Sequence, residues 1–294
     1  MASKRVLVTG AAGMLGSELL RVVPPGHEAV GTDLRTDAAV DVPGVDLAEP
    51  EAVDALFRAR GPFAGVIHGA AYTAVDLAET NEELAYRANA EACRVLARAC
   101  ARVGIPLVVV STDFVFDGAG TRPYREDDPV NPLSAYGRTK LAGERAALEE
   151  HPSGARIVRT QWLYGPRGKH FPGTIVKLAR EKGALKVVHD QIGSPTTTLE
   201  LAPALWDVLA KGAAGVYHAA CEGQASWCDL ARATCDLAGL GHVPITPCTT
   251  AEFPRPAQRP AYSVLDCSKL AKLRGKTLAP WKIALENWIA VDRP

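Results

Sequence analysis

The chain has 294 residues, 47% of them hydrophobic, and its 33 Lys and Arg balance its 33 Asp and Glu. This length allows one large domain or two unequal ones with a sizeable core. A net charge of zero gives no general attraction to nucleic acid or to an anionic membrane surface. No stretch approaches the roughly 18 uninterrupted apolar residues of a membrane span. We therefore expect a cytoplasmic protein without nucleic-acid or membrane partners.

Short β-rich runs alternate with helical patterns in the first half of the chain. Strands are predicted at 5–9, 28–33, 65–68, 106–111 and 155–160. Helices are predicted from about residue 14, over 50–60, over 76–103 as one helix or two, and from a Ser134 cap to about residue 150. Strands that alternate with helices predict an α/β fold with a doubly wound parallel sheet of the Rossmann type.

The pattern is looser after about residue 165, where Pro and Gly are frequent. Residues 193–196 are predicted to be loop, 198–211 a helix, 215–220 a short strand and 280–290 an amphipathic helix. We predict a dinucleotide-binding Rossmann domain over 1–164, joined by a returning helix and strand around 197–220. Residues 165–294 are predicted to form mainly a smaller α/β domain that binds the substrate.

The seven cysteines include no CxxC pair, and no cluster of histidines accompanies them. Isolated cysteines of this kind behave as small buried hydrophobic residues. We therefore predict neither a disulfide framework nor a metal site.

A glycine triplet follows the first predicted strand and precedes the first predicted helix. Gly10, Gly13 and Gly16 are spaced as GxxGxxG. Gly10 can form the tight turn, Gly13 lets the backbone approach a diphosphate, and Gly16 lets the helix lie close to the strand. The helix N-terminus then offers free N–H groups to the anion. This context predicts a dinucleotide site.

Two residues near the end of the second strand give opposing signals about the cofactor. Asp33 is placed to accept hydrogen bonds from the adenosine ribose hydroxyls, which favours NAD. Arg35, two residues further on, could instead meet a 2′-phosphate. The sequence leans slightly towards NADH, and NADH and NADPH both stay open.

A YxxxK motif, Tyr136 to Lys140, begins the helix that follows the apolar 106–111 strand. Positions i and i+4 share a helix face, so the ammonium can favour the phenolate and lower the tyrosine pKa from its usual value near 10. Tyr136 is then a usable proton donor or acceptor. Thr112 stands at the carboxyl end of the strand, where open α/β sheets place ligands. Together these residues support hydride transfer between a nicotinamide and a carbonyl carbon.

Over nearly its whole length the chain resembles the dTDP-4-dehydrorhamnose reductases, a group of extended short-chain dehydrogenase/reductases. The motifs that carry the resemblance are Ala70–Asp76 with Glu79, Ser111–Gly118, Tyr136–Glu144, Arg159–Gly165, Asp190–Thr196, and Arg259–Pro260 with Leu265–Asp266.

The resemblance implies that NADH or NADPH reduces the C4 ketone of a dTDP-linked keto-deoxysugar. It implies that Tyr136 gives the proton to the C4 oxygen, that Thr112 hydrogen-bonds this oxygen, and that Lys140 positions the ribose. Further substrate contacts are expected from Asp113, Phe114, Trp162 and Arg259, the last towards the nucleotide diphosphate. Further cofactor contacts are expected from Met14, Leu15, Asp46, Leu47, Ala70, Ala71 and Tyr72, and Asn89 matches a supporting asparagine.

Three alternatives stay open at this point. The chain could be another nucleotide-sugar 4-ketoreductase or an epimerase, because the sequence does not show how the sugar is turned. It could also be a non-catalytic NADP-binding regulatory subunit like that of methionine adenosyltransferase, although Thr112, Tyr136 and Lys140 are all present. A homodimer is one assembly that the resemblance allows.

Overall fold

Seven parallel strands form the main sheet in a computed structural model that describes residues 3–292. Residues 1–2 of the first predicted domain and 293–294 of the second lie outside the described residues. In chain order the strands are β1 (Lys4–Thr9), β2 (His27–Asp33), β3 (Val42–Pro43), β4 (Gly65–His68), β5 (Leu107–Thr112), β6 (Ala155–Thr160), β7 (Leu163–Tyr164), β8 (Leu185–Val188), β9 (Ile192–Gly193), β10 (Thr196–Thr197), β11 (Gly215–His218), β12 (Ala225–Ser226) and β13 (Ile245–Cys248). The main sheet has the order β11-β6-β5-β4-β1-β2-β3.

Helices cover both faces of this sheet. They are α1 (Met14–Arg21), α2 (Pro50–Arg60), α3 (Val75–Ala78), α4 (Glu82–Tyr86), α5 (Ala92–Val103), α6 (Ala135–Glu150), α7 (Phe171–Lys182), α8 (Thr198–Lys211), α9 (Trp227–Leu237), α10 (Ser268–Arg274) and α11 (Trp281–Asp292). None of the helices within residues 3–292 is long and apolar enough to cross a membrane.

The alternation of side chains along β1 shows how the two layers are built. Val6 and Val8 pack into a core with Leu205 of α8, whereas Leu7 packs into a second core with Leu96 of α5. Successive strand residues point to opposite faces, so a strand that is apolar throughout needs a helical layer on each side. The predicted doubly wound Rossmann fold is confirmed.

The region from 165 onward holds more regular structure than its sequence pattern predicts. Helices α7, α9 and α10 and the paired strands β8 and β13 all lie there. Residues 193–196, predicted as loop, contribute to two short strands that pair with β7 and β12. Strands of two residues have no readable periodicity of their own. Their pairing is set by tertiary contacts, which explains why the prediction was incomplete.

The predicted helical region 76–103 is divided by two local features. The short α3 ends before Asn81, and α4 continues into α5 through a π-helical segment, Arg87–Glu91. Such π-helical segments occur often at functional sites. The segment carries Asn89, which is fully buried.

A buried ion pair attaches α6 to the sheet. Arg159 of β6 donates two hydrogen bonds to the Glu144 carboxylate, at 2.9 and 2.7 Å, and Ser111 of β5 donates a third at 2.6 Å. Both charged side chains are at most 5% exposed. Removing one partner of a buried pair leaves the other charge uncompensated. The pair therefore ties α6 to two adjacent strands.

We expect Arg159→Met to lower the free energy of unfolding by about 3–5 kcal/mol, because Glu144 would stay buried without a counter-charge. Arg138, also on α6, forms an exposed pair with Glu82, so Arg138→Met should change stability by less than about 1 kcal/mol. Urea denaturation of the two variants measures the difference. Equal losses would show that α6 does not depend on the buried pair.

Candidate active site

The glycine turn between β1 and α1 has the shape that a dinucleotide diphosphate requires. Gly10 has φ +71°, and a Cβ at this position would lie 2.7 Å from the backbone nitrogen of Ala70. At Gly16 a Cβ would collide with the carbonyl of Gly10. No side chain in the described part of the chain caps the N-terminus of α1 at Gly13. The first N–H groups of α1, at Met14 and Leu15, can therefore serve an anion.

Asp33 ends β2 and connects it to the glycine turn. One carboxylate oxygen accepts a hydrogen bond from the Ala12 N–H at 3.1 Å, and the other accepts from the Arg35 N–H at 3.0 Å. The Arg35 guanidinium also lies 3.4 Å from this carboxylate. The same residue pair that gave opposing signals in the sequence is thus in direct contact.

The segment after β4 forms the facing wall. The Ala70 N–H donates to Thr9, and the Tyr72 N–H donates to the Asn89 side chain at 2.8 Å. The Asn89 amide returns a hydrogen bond to the Tyr72 carbonyl and donates another to Thr139 of α6. Asn89 thereby links Ala70–Tyr72 to the helix that carries Tyr136 and Lys140. Ala71 is partly exposed within this wall.

Asp46 and Leu47 lie beyond β3. Leu47 is buried, and the Asp46 carboxylate accepts a hydrogen bond from Arg87 at 2.8 Å and one from the Ala48 N–H at 3.0 Å. The predicted contact of these two residues with the cofactor stays a prediction.

Thr112, Tyr136 and Lys140 come together at the carboxyl end of β5. Thr112 donates a hydrogen bond to Asp113 at 3.0 Å, accepts one from the Phe114 N–H, and also hydrogen-bonds with the Tyr136 phenol. The Phe114 ring meets the Tyr136 ring edge-on, with centroids 5.5 Å apart. Lys140 is buried, and its Nζ donates to the Val110 carbonyl at 2.7 Å. The fold therefore gathers the three predicted catalytic residues into one cluster.

The electrostatics of this cluster differ from the expectation that Lys140 lowers the tyrosine pKa. Burial raises the pKa of Tyr136 to about 12, against an opposing hydrogen bond with Thr112, and the Asp113 carboxylate adds to the increase. Burial also lowers the pKa of Lys140. The phenol is consequently held in its protonated form, which is the form that a proton donor needs.

Asp113 is buried beside these residues and is incompletely satisfied. One of its oxygens accepts from Thr112, and the other has no hydrogen-bond partner in the described residues. Burial raises the pKa of Asp113 to about 6, and the hydrogen bond from Thr112 opposes this increase. An unpaired buried carboxylate oxygen is unfavourable unless a ligand satisfies it. This orphan oxygen supports the predicted contact between Asp113 and a substrate.

Trp162 follows β6 in an unusual backbone conformation. Its φ is +48°, the only positive φ outside glycine in the described residues. The indole stacks on Trp227 with centroids 3.6 Å apart and planes 8° apart, and a Cβ at Gly193 would lie 2.6 Å from the ring. A bulky residue in the left-handed region costs about 1–3 kcal/mol and occurs mainly at functional sites. The Trp227 stack and the close Gly193 backbone hold Trp162 in this strained position.

Arg259 is occupied by a carboxylate. Its guanidinium donates to both oxygens of Asp76, at 2.9 and 3.0 Å, and also to the Ala257 carbonyl. This contact joins the 257–259 loop to α3. The predicted role of Arg259 at a nucleotide diphosphate stays a prediction.

Sequence reasoning missed several residues that support the cluster. Glu144 follows Lys140 by four positions, so the repeat of Tyr136, Lys140 and Glu144 along one helix face could have indicated it. Nothing local marks Trp227 as the partner of Trp162, because the two are distant in sequence. His68 ends β4 fully buried, with its Nδ1 2.7 Å from Thr9 and no partner for Nε2 in the described residues.

Comparison with known proteins places the chain in a family. The model of the RmlD substrate-binding domain matches residues 4–293. A dTDP-4-dehydrorhamnose reductase of Streptomyces griseus is 42% identical, over 96% of this chain and 91% of the relative. A probable dTDP-4,6-dihydroxy-2-methyloxan-3-one 4-ketoreductase of Streptomyces antibioticus is 44% identical, over 96% and 94%. The chain belongs to the RmlD family.

A solved RmlD-family structure has the same fold. The crystal structure of dTDP-4-dehydrorhamnose reductase from Bacillus anthracis, in complex with NADP, is 34% identical, with a TM-score of 0.91 over 98% of this chain and 99% of the other. The two chains therefore share one fold over nearly their full lengths.

His68 should make the protein sensitive to acid. Burial, with the nearby Lys140 charge, lowers its pKa to about 3. As pH falls below 6.5 the unfolded chain takes up a proton that the folded chain does not, so stability is lost between pH 6.5 and about 3. At pH 4.5 the loss from this group is about 2–3 kcal/mol.

We expect His68→Gln to reduce the difference in unfolding free energy between pH 7 and pH 4.5 by that amount, as measured by urea denaturation at both pH values. His218→Gln is the matched second variant, because burial also lowers the pKa of His218 to about 3. If His68→Gln leaves the difference in unfolding free energy between the two pH values unchanged, protonation of His68 is not the cause of the acid sensitivity. Any loss of unfolding free energy that comes from poorer packing is the same at both pH values and therefore cancels in the difference.

Proposed function

We propose that this chain is the NAD(P)H-dependent reductase that converts dTDP-4-dehydro-L-rhamnose to dTDP-L-rhamnose at C4. The observation that carries the proposal is the cluster of Thr112, Tyr136 and Lys140 beside the glycine turn. The chain belongs to a family in which a 42% identical relative is named dTDP-4-dehydrorhamnose reductase. A 34% identical family member has been solved in complex with NADP.

The residues present fit a nicotinamide dinucleotide. Gly10 and Gly16 leave no room for a side chain, and the α1 N-terminus is open to a diphosphate. Lys140 would hold the nicotinamide ribose, and Ala70–Tyr72 would line the cofactor. The bound cofactor supplies a hydride to the C4 carbon of the ketone.

Tyr136 supplies the proton that balances this transfer. As C4 gains the hydride, its carbonyl oxygen becomes an alkoxide and takes the phenolic proton. The raised pKa of Tyr136 keeps that proton in place at neutral pH. Thr112, which hydrogen-bonds the phenol, can donate to the same oxygen and fix its position. The buried Lys140 supplies positive charge that stabilises the phenolate left on Tyr136.

Two details of the substrate site follow from the strained and unsatisfied groups. The free oxygen of Asp113 is available to accept from a sugar hydroxyl, with Phe114 on the adjoining turn. Trp162 presents its indole at the end of β6 and packs against the sugar. Arg259 would reach the nucleotide diphosphate only by sharing or exchanging its bonds to Asp76.

A second candidate is reduction of a different dTDP-linked 4-keto-sugar. The 44% identical relative from Streptomyces antibioticus is named as a probable 4-ketoreductase for such a sugar. The same Tyr136 and Thr112 would serve that substrate, because only the pose of the sugar differs. A regulatory subunit without catalysis is disfavoured, since Thr112, Tyr136 and Lys140 are all present at the carboxyl end of β5. A homodimer and a cytoplasmic location stay predictions.

Tyr136→Phe should lower turnover of in situ generated dTDP-4-dehydrorhamnose by a factor on the order of 10²–10⁴, because the ring stays but the proton donor is lost. Cofactor affinity should be unchanged. Oxidation of NADPH and NADH, followed by absorbance and by identification of the sugar product, measures the effect. Undiminished turnover in the variant would rule out Tyr136 as the proton donor.

Trp227→Leu should raise the KM for the sugar nucleotide about three- to tenfold, because the stack that holds Trp162 in its strained position is removed. The KM for NADPH and kcat should change little. Trp227→Phe, which keeps an aromatic partner, should recover most of the affinity. A loss confined to kcat would show that the stack does not act on substrate binding.

A further inference from the structure

Trp227, the stacking partner of Trp162, also contacts a second aromatic ring. The centroid of its ring lies 3.6 Å from that of Trp162 and 4.6 Å from that of Phe171. Apolar contacts of this kind fix the plane of an indole, but they are not directional and resist rotation within that plane only weakly. A hydrogen bond from the indole N–H is directional and can fix the ring within its plane.

Gln191 accepts this directional bond from the Trp227 indole. Trp227 Nε1 donates to Gln191 Oε1 at 3.0 Å, and Gln191 is buried. The two residues meet because Gln191 directly precedes β9 and Trp227 directly follows β12, and these strands pair with each other. Since the indole nitrogen can only donate, the amide oxygen faces Trp227 and the amide nitrogen is left to donate elsewhere.

The amide nitrogen of Gln191 is bound to the loop that follows β13. Gln191 Nε2 donates to Thr250 Oγ1 at 3.0 Å, and the Thr250 hydroxyl donates to the Asp190 carboxylate at 2.7 Å. Both Asp190 oxygens also accept from the Thr250 N–H, at 2.9 and 3.0 Å. Strands β8 and β13 are parallel neighbours, so the residues that follow their carboxyl ends come together here. The hydrogen bonds therefore run in one direction, from the indole to a carboxylate.

We propose that Gln191 and Thr250 are positioning residues that hold Trp162 in the sugar site. They act through the ring of Trp227 and do not touch the sugar themselves. Gln191 and Thr250 each accept one hydrogen bond and donate another, and hydrogen bonds in such chains strengthen one another. Trp162 has a strained φ of +48°, so its position depends on the contacts around it. The inference rests on the proposed function, in which Trp162 packs against the sugar.

Circular dichroism of the stacked indoles tests the positioning without any ligand. Two indoles in close contact give an exciton couplet that depends on their mutual orientation, and Trp227→Phe identifies the couplet of this pair by removing it. Gln191→Leu and Thr250→Val should each reduce the couplet, because the Trp227 ring is then free to turn within its plane. Thr250→Ser keeps the hydroxyl and should retain the couplet. Thr250 is exposed, so Thr250→Val decides the matter even if Gln191→Leu does not fold.

Titration calorimetry of the full chain with dTDP-L-rhamnose and with dTDP tests the consequence for the sugar. Gln191→Leu and Thr250→Val should each weaken binding of dTDP-L-rhamnose about two- to tenfold, the equivalent of one hydrogen bond, and leave dTDP binding within about twofold. The KM for the keto-sugar nucleotide should rise in parallel, with kcat and the KM for NADPH little changed. Thr246→Val alters another exposed threonine, on β13, and should behave like the parent chain.

Two outcomes would overturn the inference. One is an unchanged couplet in both Gln191→Leu and Thr250→Val. The other is an equal loss of affinity for dTDP and dTDP-L-rhamnose, which would show that the hydrogen bonds support the nucleotide site or the fold as a whole. A parent chain that reduces no keto-sugar would refute the proposed function, whereas the couplet would still decide whether Gln191 and Thr250 hold Trp162.

Discussion

The buried pair of Glu144 and Arg159 fixes the middle of α6, and the geometry of the candidate site depends on that attachment. Tyr136, Lys140 and Glu144 follow one another at four-residue intervals, so they lie along one face of the helix. Glu144 is bound to Arg159 of β6 and Ser111 of β5, and Lys140 to the Val110 carbonyl of β5. Each contact also fixes the position of Tyr136, along the axis of α6, relative to Thr112 at the end of β5. A helix held by apolar packing alone could slide without breaking a specific contact. Charged and hydrogen-bonded partners on two strands prevent such a shift.

The first half of the fold could be predicted from the sequence because its signals are local. Pro50 at the first position of α2 and Ser134 as the cap of α6 both mark their helices at the expected residues. The second half could not be predicted as well. Strands β9, β10 and β12 have two residues each, so their pairing comes from distant partners. The Trp162–Trp227 stack likewise joins residues that are distant in sequence and carries no periodic signal.

For the site itself, the sequence predicted which side chains come together at the end of β5 but not their electrostatics. The YxxxK spacing indicates that Lys140 shares a helix face with Tyr136, and the simple expectation is a lowered tyrosine pKa. Burial acts on both groups as well, and it raises the pKa of Tyr136 and lowers that of Lys140. Burial is a property of the folded chain, produced by neighbours such as Phe114 and Val110, so spacing alone could not reveal its size. The raised pKa of Tyr136 suits a reductase, because the proton donor must be protonated when the reaction begins.

The same reasoning applies to the cofactor. From the sequence, Asp33 and Arg35 are competing signals, since each is typical of a different dinucleotide. In the folded chain they are partners, and the Asp33 oxygens already hold Ala12 and Arg35. A carboxylate that organises the turn is less available to ribose hydroxyls.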